Sequence, residues 1–347
     1  MFNLVRRIAG ALLVLGLLAL VSACGGFVKG NGKENAPLSA AALSRLSAIG
    51  SAPGQPMVVR IFKQSSELEV WKRSGDGSYK HFKTYEICAW SGDLGPKIKE
   101  GDRQSPEGFY TITPGLMNPR SSYYLSFNTG FPNKFDRAHG RTGSDLMVHG
   151  DCSSRGCYAM TDEGIAEIYA LARETFKGGN KSFQLQIFPF RMTAQNLAKQ
   201  SKSPHLAFWK NIKEGYDRFE LTKQPPVWDV CGKQYVFDAK ASSGQPLDAA
   251  AACPALLRDE TLVAQLSAKA AADEASFSTA VASQEAKDAK AAAAAQQAAE
   301  AEAAAAARGE AISGFFGGLF GGGQEKVAPV FNPDIKAPVP APRIKRV

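Results

Sequence analysis

The stretch SDLMVHGDCSSRGCYAMTDEG, residues 144–164, runs from an apolar strand-like segment through a glycine-containing turn to a cysteine, and then to a helix start. His149 and Cys157 are eight positions apart, so their side chains cannot meet along a regular helix or strand. They can meet across a loop that follows a strand, which is where proteins commonly present reactive groups. We therefore predict that Cys157 is a thiol nucleophile and that His149 is the base that removes its proton.

Two glycines flank this pair. Gly150 and Gly156 allow the backbone to bend sharply and a substrate carbonyl to come close. The amides of Cys157 and Tyr158 are then candidate hydrogen-bond donors to an oxyanion. The alternative interpretation is that the His and the Cys are structural, because catalytic cysteine motifs do not transfer between families.

The same stretch resembles the YkuD-type L,D-transpeptidase family, in which a His and a spacer precede Ser/Thr-His-Gly-Cys. Ser154, Arg155, Gly156 and Cys157 occupy the last four places, with Arg155 where the family has its second His. The spacer after His149 is also short, and both departures are shared by the YafK-like branch of the family. The similarity extends over roughly residues 50–230 and includes ICAWSGDLGPKIKEGDRQSPEGFY (87–110), FPNKFDRAHGRTG (131–143) and FPFRMT (188–193).

Segments on either side of the motif predict a mostly β catalytic domain with helices. Residues 56–72 and 78–90 have the alternation and turn residues of strands, and residues 122–128 and 183–190 add further strands. The resemblance implies that they build a β-sandwich-like domain of the YkuD type over residues 51–240, including a helical extension.

A helix is predicted directly after the motif. Thr161 is a candidate N-cap, and Asp162 and Glu163 fall in the first turn, where the helix dipole favours negative charge. Apolar residues at helical spacing continue to about Phe176.

The family resemblance implies acyl transfer on the bacterial cell wall. The Cys157 thiolate would attack a carbonyl on the diaminopimelate unit of a peptidoglycan stem peptide, and His149 would protonate the leaving amine. The backbone oxygen of Gly150 would orient the imidazole. The YafK-like branch favours hydrolysis of the link between peptidoglycan and an outer-membrane lipoprotein. The alternatives are an L,D-transpeptidase that forms cross-links and a non-catalytic wall-binding lipoprotein.

Four further residues are candidates for substrate binding. Ser154 lies within the motif. Arg155 either holds a substrate carboxylate as a bidentate fork or faces solvent. His139, in the loop before the motif, either lines the substrate cleft or has a structural role. Arg191, in FPFRMT, either braces the catalytic loop or binds substrate.

Neither a metal nor another cofactor is expected. His149, Cys152 and Cys157 superficially suggest a zinc site, but no second pair of ligands lies nearby in the sequence. The net charge of +8 suits an acidic partner such as an anionic wall polymer, lipid or nucleic acid. No nucleic-acid motif and no interleaving of aromatic and basic residues accompany that charge, so nucleic acid is excluded as a partner. The oligomeric state is left open.

The N-terminus predicts export to the periplasm. Residues 1–23 combine a positively charged start with an apolar run too short for a comfortable membrane span. The sequence Val-Ser-Ala-Cys ending at Cys24 resembles a lipobox, which predicts cleavage before Cys24 and a lipid on its sulfur that attaches the chain to the outer membrane. The alternatives are ordinary cleavage after Ala23 and an uncleaved N-terminal anchor. Residues 24–50 are predicted to form a tether.

The other cysteines raise the question of disulfides, since the protein is predicted to be exported. Cys231 and Cys253 are predicted either to bridge each other or to remain two free thiols. Cys88 lies in an apolar strand and is predicted to be a small buried hydrophobe. Cys152 is predicted to be a spare loop thiol, with a reversible disulfide to Cys157 as the alternative.

The C-terminal part of the chain changes character. Residues 254–309 are dominated by Ala, which has the highest helix propensity, and predict a long solvated helix. Self-association as a coiled coil is the less favoured alternative because large apolar heptad residues are lacking. Residues 310–347 are rich in Gly and Phe and then in Pro, and predict a disordered tail with a basic end.

Overall fold

A computed structural model describes residues 32–319 of the 347-residue chain. The predicted export signal, the lipidation of Cys24 and the Pro-rich tail lie outside the described residues and stay predictions.

Nine strands form one mixed sheet with the order β4-β9-β1-β2-β3-β8-β7-β6-β5. In chain order they are β1 (Met57–Phe62), β2 (Glu67–Arg73), β3 (Tyr79–Trp90), β4 (Gly108–Ile112), β5 (Met117–Asn118), β6 (Ser126–Asn128), β7 (Met147–His149), β8 (Tyr158–Met160) and β9 (Phe183–Phe188). Two small antiparallel pairs follow: β10 (Trp228–Cys231) with β11 (Gln234–Phe237), and β12 (Lys240–Ala241) with β13 (Leu256–Leu257). The prediction of a mostly β domain with helices is therefore confirmed.

Six α-helices complete the described fold. They are α1 (Ala40–Ala48), α2 (Lys134–Ala138), α3 (Asp162–Lys177), α4 (Ala194–Ala198), α5 (Leu206–Thr222) and α6 (Glu260–Leu319). The helix predicted after the motif is α3, and the Thr161 hydroxyl caps it by accepting a hydrogen bond from the Gly164 amide.

Helices cover both faces of the sheet because alternate strand residues point to opposite sides. Met57, Val59 and Ile61 of β1 belong to a core that also contains buried residues of α1 and α3. Phe62, on the other face of β1, packs with Phe188 and with residues of α4 and α5 in a second core. The sheet is thus fixed from both sides, which gives the motif strands a rigid support.

The motif forms two neighbouring parallel strands. Val148 of β7 is paired with Tyr158 of β8, and His149 is paired with Ala159. Parallel neighbours are normally joined by a crossover of about a dozen residues or more. Here residues 150–157 make the whole connection, so the loop returns directly from the end of β7 to the start of β8.

The cysteines form two disulfides among the described residues. Cys231 is bonded to Cys253, which is one of the two predicted alternatives. Cys88 is bonded to Cys152, so the predictions of a buried unpaired Cys88 and a spare thiol at Cys152 are wrong. These predictions failed because β3 is irregular at Cys88, and no sequence pattern indicates such an irregularity. Cys157 is the free cysteine of the described part of the chain.

The bounds of the long helix differ from the predicted 254–309. The helix begins later because Leu256–Leu257 form β13, and the Asp259 side chain then accepts a hydrogen bond from the Leu262 amide at 2.9 Å. It also runs through the start of the Gly- and Phe-rich segment to Leu319. None of the described helices is both long enough and apolar enough to cross a membrane.

The two parts of α6 are expected to differ in their effect on stability. Its first turns pack on the domain, since Asp273 pairs with Lys213 and Phe277 joins the second core, whereas residues 285–309 are all exposed. We expect truncation after Gln284 to leave the thermal midpoint unchanged and truncation after Asp259 to lower it by more than about 4 °C. Differential scanning calorimetry measures both, and equal midpoints for the two truncations would contradict the packing role.

Candidate active site

His149 ends β7, and Cys157 directly precedes β8, the parallel strand beside it. Val148, Tyr158 and Met160 are buried in the core under α3, so the residues between them along each strand project to the other side. His149 is opposite Ala159, and Cys157 precedes Ala159 by two positions. Strand alternation extended by one residue before β8 would place Cys157 on the side of His149. The roles of Cys157 as the thiol nucleophile and of His149 as its base stay predictions.

The imidazole of His149 is held in one tautomer. Its Nδ1 lies 2.6 Å from the carbonyl oxygen of Gly150, and a carbonyl can only accept a hydrogen bond. Nδ1 therefore carries the proton in the neutral ring, which leaves the lone pair on Nε2. The phenol ring of Tyr123 lies 4.7 Å from the imidazole, centroid to centroid, and covers it.

Burial sets the protonation state of this histidine. His149 is only 3% exposed, and burial lowers its pKa below the ordinary value for a histidine. The hydrogen bond to Gly150 acts in the opposite direction but is the smaller influence. The ring is therefore neutral at pH 7, which is the state that accepts a proton.

The thiol of Cys157 is partly exposed. Its Sγ accepts a hydrogen bond from the Met147 amide at 3.4 Å and lies 3.5 Å from the carbonyl oxygen of Asp145. Burial raises the pKa of the thiol, and the Met147 amide offsets only part of this increase. The free protein thus holds a neutral thiol and a neutral imidazole, so the proton would leave sulfur as the bond to substrate forms.

Hydroxyl groups fix the backbone of the cysteine. The carbonyl oxygen of Cys157 accepts hydrogen bonds from Ser154 Oγ at 2.7 Å and from Ser105 Oγ at 3.2 Å. Within residues 32–319 the amide of Cys157 has no hydrogen-bond acceptor, so it can donate to an oxyanion. The Gly156 amide already points to Ser154 Oγ at 3.4 Å, and Gly156 has a φ of +124°, which favours glycine there.

The remaining motif residues have distinct positions. Tyr158 is fully buried, and its hydroxyl donates to the carbonyl oxygen of Pro106 at 2.7 Å. Arg155 is exposed. The Ser154 hydroxyl binds the backbone of Cys157, and its predicted role in substrate binding stays a prediction.

His139 and Arg191 make their contacts outside the motif. His139 Nε2 lies 2.8 Å from the carbonyl oxygen of Lys233, beside β11. Arg191 binds the carboxylates of Glu67 at 2.8 Å and Glu69 at 2.7 Å. Arg191 thus ties the start of β2 to the chain that follows β9 and makes no ion pair with the loop of residues 150–157 among the described residues, and the predicted roles of both residues at the site stay predictions.

Sequence reasoning missed three residues that shape the site. Tyr123 covers the imidazole, Ser105 anchors the Cys157 carbonyl, and Asp162 accepts a hydrogen bond from the Asp151 amide at 3.0 Å. Tyr123 and Ser105 come from loops far away in the sequence and carry no local pattern. The sequence did single out Asp162, but only as a residue of the first helical turn, where the helix dipole favours its negative charge.

Among the described residues, no group of three or more His, Cys, Asp or Glu side chains is placed to hold a metal ion. Cys152, considered above as a ligand, is consumed by its disulfide with Cys88.

The protonation states predict how Cys157 reacts with an alkylating agent. We expect its rate of modification by iodoacetamide to rise with pH through an apparent pKa above that of an ordinary cysteine, because burial disfavours the thiolate. Mass spectrometry of the peptide containing Cys157 measures the rate, with a short cysteine peptide as control. A rate plateau between pH 5 and 7 would instead indicate a thiolate paired with a protonated His149.

Comparison with known proteins supports the assignment of this fold. Residues 58–179 match the YkuD family, described as the L,D-transpeptidase catalytic domain. The chain is 45% identical over 183 residues to YafK of Escherichia coli, named as a candidate L,D-transpeptidase, and the match covers 53% of this chain and 74% of that protein.

Two solved structures are also similar over part of their length. One is Pgp2 of Campylobacter jejuni, described as a helical cell shape determining protein, with 24% identity, a TM-score of 0.30 and coverage of 42% of this chain and 54% of that one. The other is L,D-transpeptidase 1 of Mycobacterium tuberculosis, with 11% identity, a TM-score of 0.22 and coverage of 39% and 62%.

Proposed function

The chain belongs to the YkuD family of L,D-transpeptidase catalytic domains, and from that premise we propose that it is a cysteine-dependent acyl-transfer enzyme acting on peptidoglycan. The observation that supports this most is that β7 ends in His149 and its parallel neighbour β8 begins directly after Cys157, while the bond of Nδ1 to the Gly150 carbonyl leaves Nε2 to accept a proton. The proposed substrate is a stem peptide containing diaminopimelate.

The first half of the proposed reaction forms a thioester. Sγ of Cys157 attacks the substrate carbonyl while Nε2 of His149 takes the thiol proton. The amide of Cys157 donates to the oxyanion of the tetrahedral intermediate. When the intermediate collapses, the carbon–nitrogen bond breaks, His149 returns the proton to the leaving amine, and the acyl group remains on Cys157.

The second half depends on the acceptor. His149 removes a proton from the incoming nucleophile, which attacks the thioester and frees the thiol. Water as acceptor gives hydrolysis, and we propose this outcome, with release of a lipoprotein from its link to peptidoglycan. This choice rests on the similarity of the motif to the YafK-like branch, including Arg155 and the short spacer. An amine acceptor would make the same site a transpeptidase.

We also propose that the protein works in the periplasm, attached to a membrane through a lipid on Cys24. The lipobox-like sequence before Cys24 supports this. Replacing Cys24 with serine is expected to shift the mature protein from the membrane fraction to the soluble periplasmic fraction. Unchanged fractionation would exclude the lipid anchor.

One experiment distinguishes the possible reactions. Sacculi that carry covalently linked lipoprotein are incubated with the protein, and the released products and remaining muropeptides are identified by mass spectrometry. Released lipoprotein is expected, with an unchanged amount of cross-linked dimers. More cross-linked dimers would indicate transpeptidation, and binding to sacculi without any product would indicate a non-catalytic wall-binding protein.

A further inference from the structure

The loop between the two motif strands has an unfavourable backbone. Residues 150–157 return the chain between parallel neighbours, and they do so with left-handed conformations at Asp151 (φ 69°) and Cys152 (φ 40°). Residues other than glycine adopt this region at a cost in free energy, so the surrounding structure must hold them there.

Three contacts hold Asp151 and Cys152, the two residues with the left-handed backbone. The Asp151 amide donates to Asp162 Oδ1 at 3.0 Å, and the Cys152 amide donates to the Met160 carbonyl at 3.2 Å. The third contact is covalent, because Cys152 is bonded to Cys88 of β3. The loop is therefore attached to β8 and α3, which follow it in the sequence, and to β3 through the disulfide.

The position of Cys88 explains how the bond forms. Ile87 of β3 is paired with Met160 of β8, and Ala89 is paired with the adjacent residue Ala159. Cys88 is therefore an extra residue of β3 that has no partner in β8. Such a β-bulge redirects a side chain out of the regular alternation, and bulges are frequent beside active sites. Here it turns the Cys88 sulfur toward the loop.

The same loop orients both reactive residues. Its first residue, Gly150, supplies the carbonyl that fixes the His149 tautomer. Farther along, Ser154 supplies the hydroxyl that holds the carbonyl of Cys157. Cys152 lies between Gly150 and Ser154, so a displacement of the loop at Cys152 would move the hydrogen-bond partners of both the base and the nucleophile.

We propose that the Cys88–Cys152 disulfide is a positioning cross-link for the acyl transfer, so that the enzyme is active when these cysteines are bonded and impaired when a dithiol reduces them. This inference rests on the proposed function. In the reduction, the dithiol gives two electrons and two protons, the Cys88–Cys152 bond breaks into two thiols, and the dithiol closes to its own disulfide. Cys152 is exposed, which allows a reductant to reach it.

The test compares two double variants of the full chain on lipoprotein-linked sacculi. Cys88→Ser with Cys152→Ser is expected to lower kcat by about 10- to 100-fold with a much smaller change in KM, since misplaced reacting groups slow the chemical step. Cys231→Ser with Cys253→Ser removes the other disulfide and is expected to keep wild-type kcat. An equal loss in both variants would mean a general effect of disulfides on stability and would overturn the proposal.

Reversible reduction of the wild type is a second experiment, and its main result does not depend on whether a variant folds correctly. Mild dithiothreitol is expected to lower kcat, and reoxidation is expected to restore it, while the double variant lacking Cys88 and Cys152 does not respond. Circular dichroism verifies that the reduced protein stays folded. Full activity of folded protein in which differential alkylation finds Cys88 and Cys152 reduced would overturn the proposal.

A third readout does not depend on the substrate. The pH profile of Cys157 alkylation is expected to shift when the Cys88–Cys152 bond is reduced, because the surroundings of the thiol change, and an unchanged profile would count against the cross-link as a positioning element. Failure of the proposed function has a different signature: oxidised wild type would then produce nothing from sacculi, although the alkylation profile would still respond to reduction.

Discussion

Cys157→Ala is expected to lower kcat/KM for release of lipoprotein from sacculi by at least about 10⁴-fold, because no other group at the site can form the covalent intermediate. Cys157 is the free cysteine of the described residues, and it directly precedes β8, the strand paired with the one that ends in His149. The loss is expected in kcat, since the thiol acts in bond formation and contributes little to binding.

Ser153→Ala is the matched control for this variant. Ser153 lies in the same loop, is exposed and makes no side-chain hydrogen bond within the described residues, so its kcat/KM should equal that of the wild type. Both variants should unfold at the wild-type temperature. Product formation by Cys157→Ala at a rate comparable to the wild type would refute the cysteine mechanism.

Glu107→Ala is expected to cost about 3–5 kcal/mol of unfolding free energy, which is typical for leaving a buried charge without its partner. Lys63 and Glu107 are both fully buried, with Lys63 Nζ 3.0 Å from Glu107 Oε1. Burial lowers the pKa of Lys63, and the carboxylate counteracts this. The substitution also removes the acceptor of the Trp209 indole N–H at 2.8 Å and of the Gly95 amide at 2.7 Å.

Two further variants isolate the charge. Glu107→Gln removes the charge but keeps a polar side chain of similar size, whose oxygen can still accept a hydrogen bond. It is therefore expected to lose less stability than Glu107→Ala. Replacing the pair together, Lys63→Met with Glu107→Leu, is expected to recover only the part of the loss that is due to the unpaired charge, because the Trp209 indole and the Gly95 amide still lack their acceptor. Urea unfolding measures all three, and a loss below about 1 kcal/mol for Glu107→Ala would show that the pair contributes little.

This buried pair also supports the active site. The Lys63 ammonium donates to the carbonyl oxygen of Ser105 at 3.1 Å, and the Ser105 hydroxyl donates to the carbonyl oxygen of Cys157 at 3.2 Å. The backbone of Cys157 is thus connected through Ser105 to this fully buried ion pair. We expect Glu107→Ala to lower activity in the same samples that show its lower stability.

Local sequence signals predicted the surroundings of the motif well. The apolar segment before His149 is β7, the turn after it is the loop, and the capping hydroxyl of Thr161 starts α3. Each of these features depends on neighbouring residues alone. Capping chemistry and hydrophobic periodicity therefore suffice to derive them.

Features that depend on tertiary contacts were not predictable. The partner of Cys152 is decided by a bulge at Cys88 in a strand 64 residues away, and disulfide connectivity cannot be deduced from cysteine positions alone. Tyr123 reaches the imidazole of His149 only because β6 is the neighbour of β7 in the sheet. His139 lies close to the motif in sequence, yet its ring is attached to the hairpin that carries Lys233.

The central claim is that the acyl group passes through the sulfur of Cys157, and rapid-quench mass spectrometry tests it directly. The protein is mixed with a diaminopimelate-containing muropeptide, quenched in acid within milliseconds and digested. We expect the peptide containing Cys157 to gain the mass of the acyl donor minus its leaving group, through a bond that hydroxylamine cleaves. Turnover of the muropeptide with no adduct on Cys157, or with the adduct on another residue, would contradict this account.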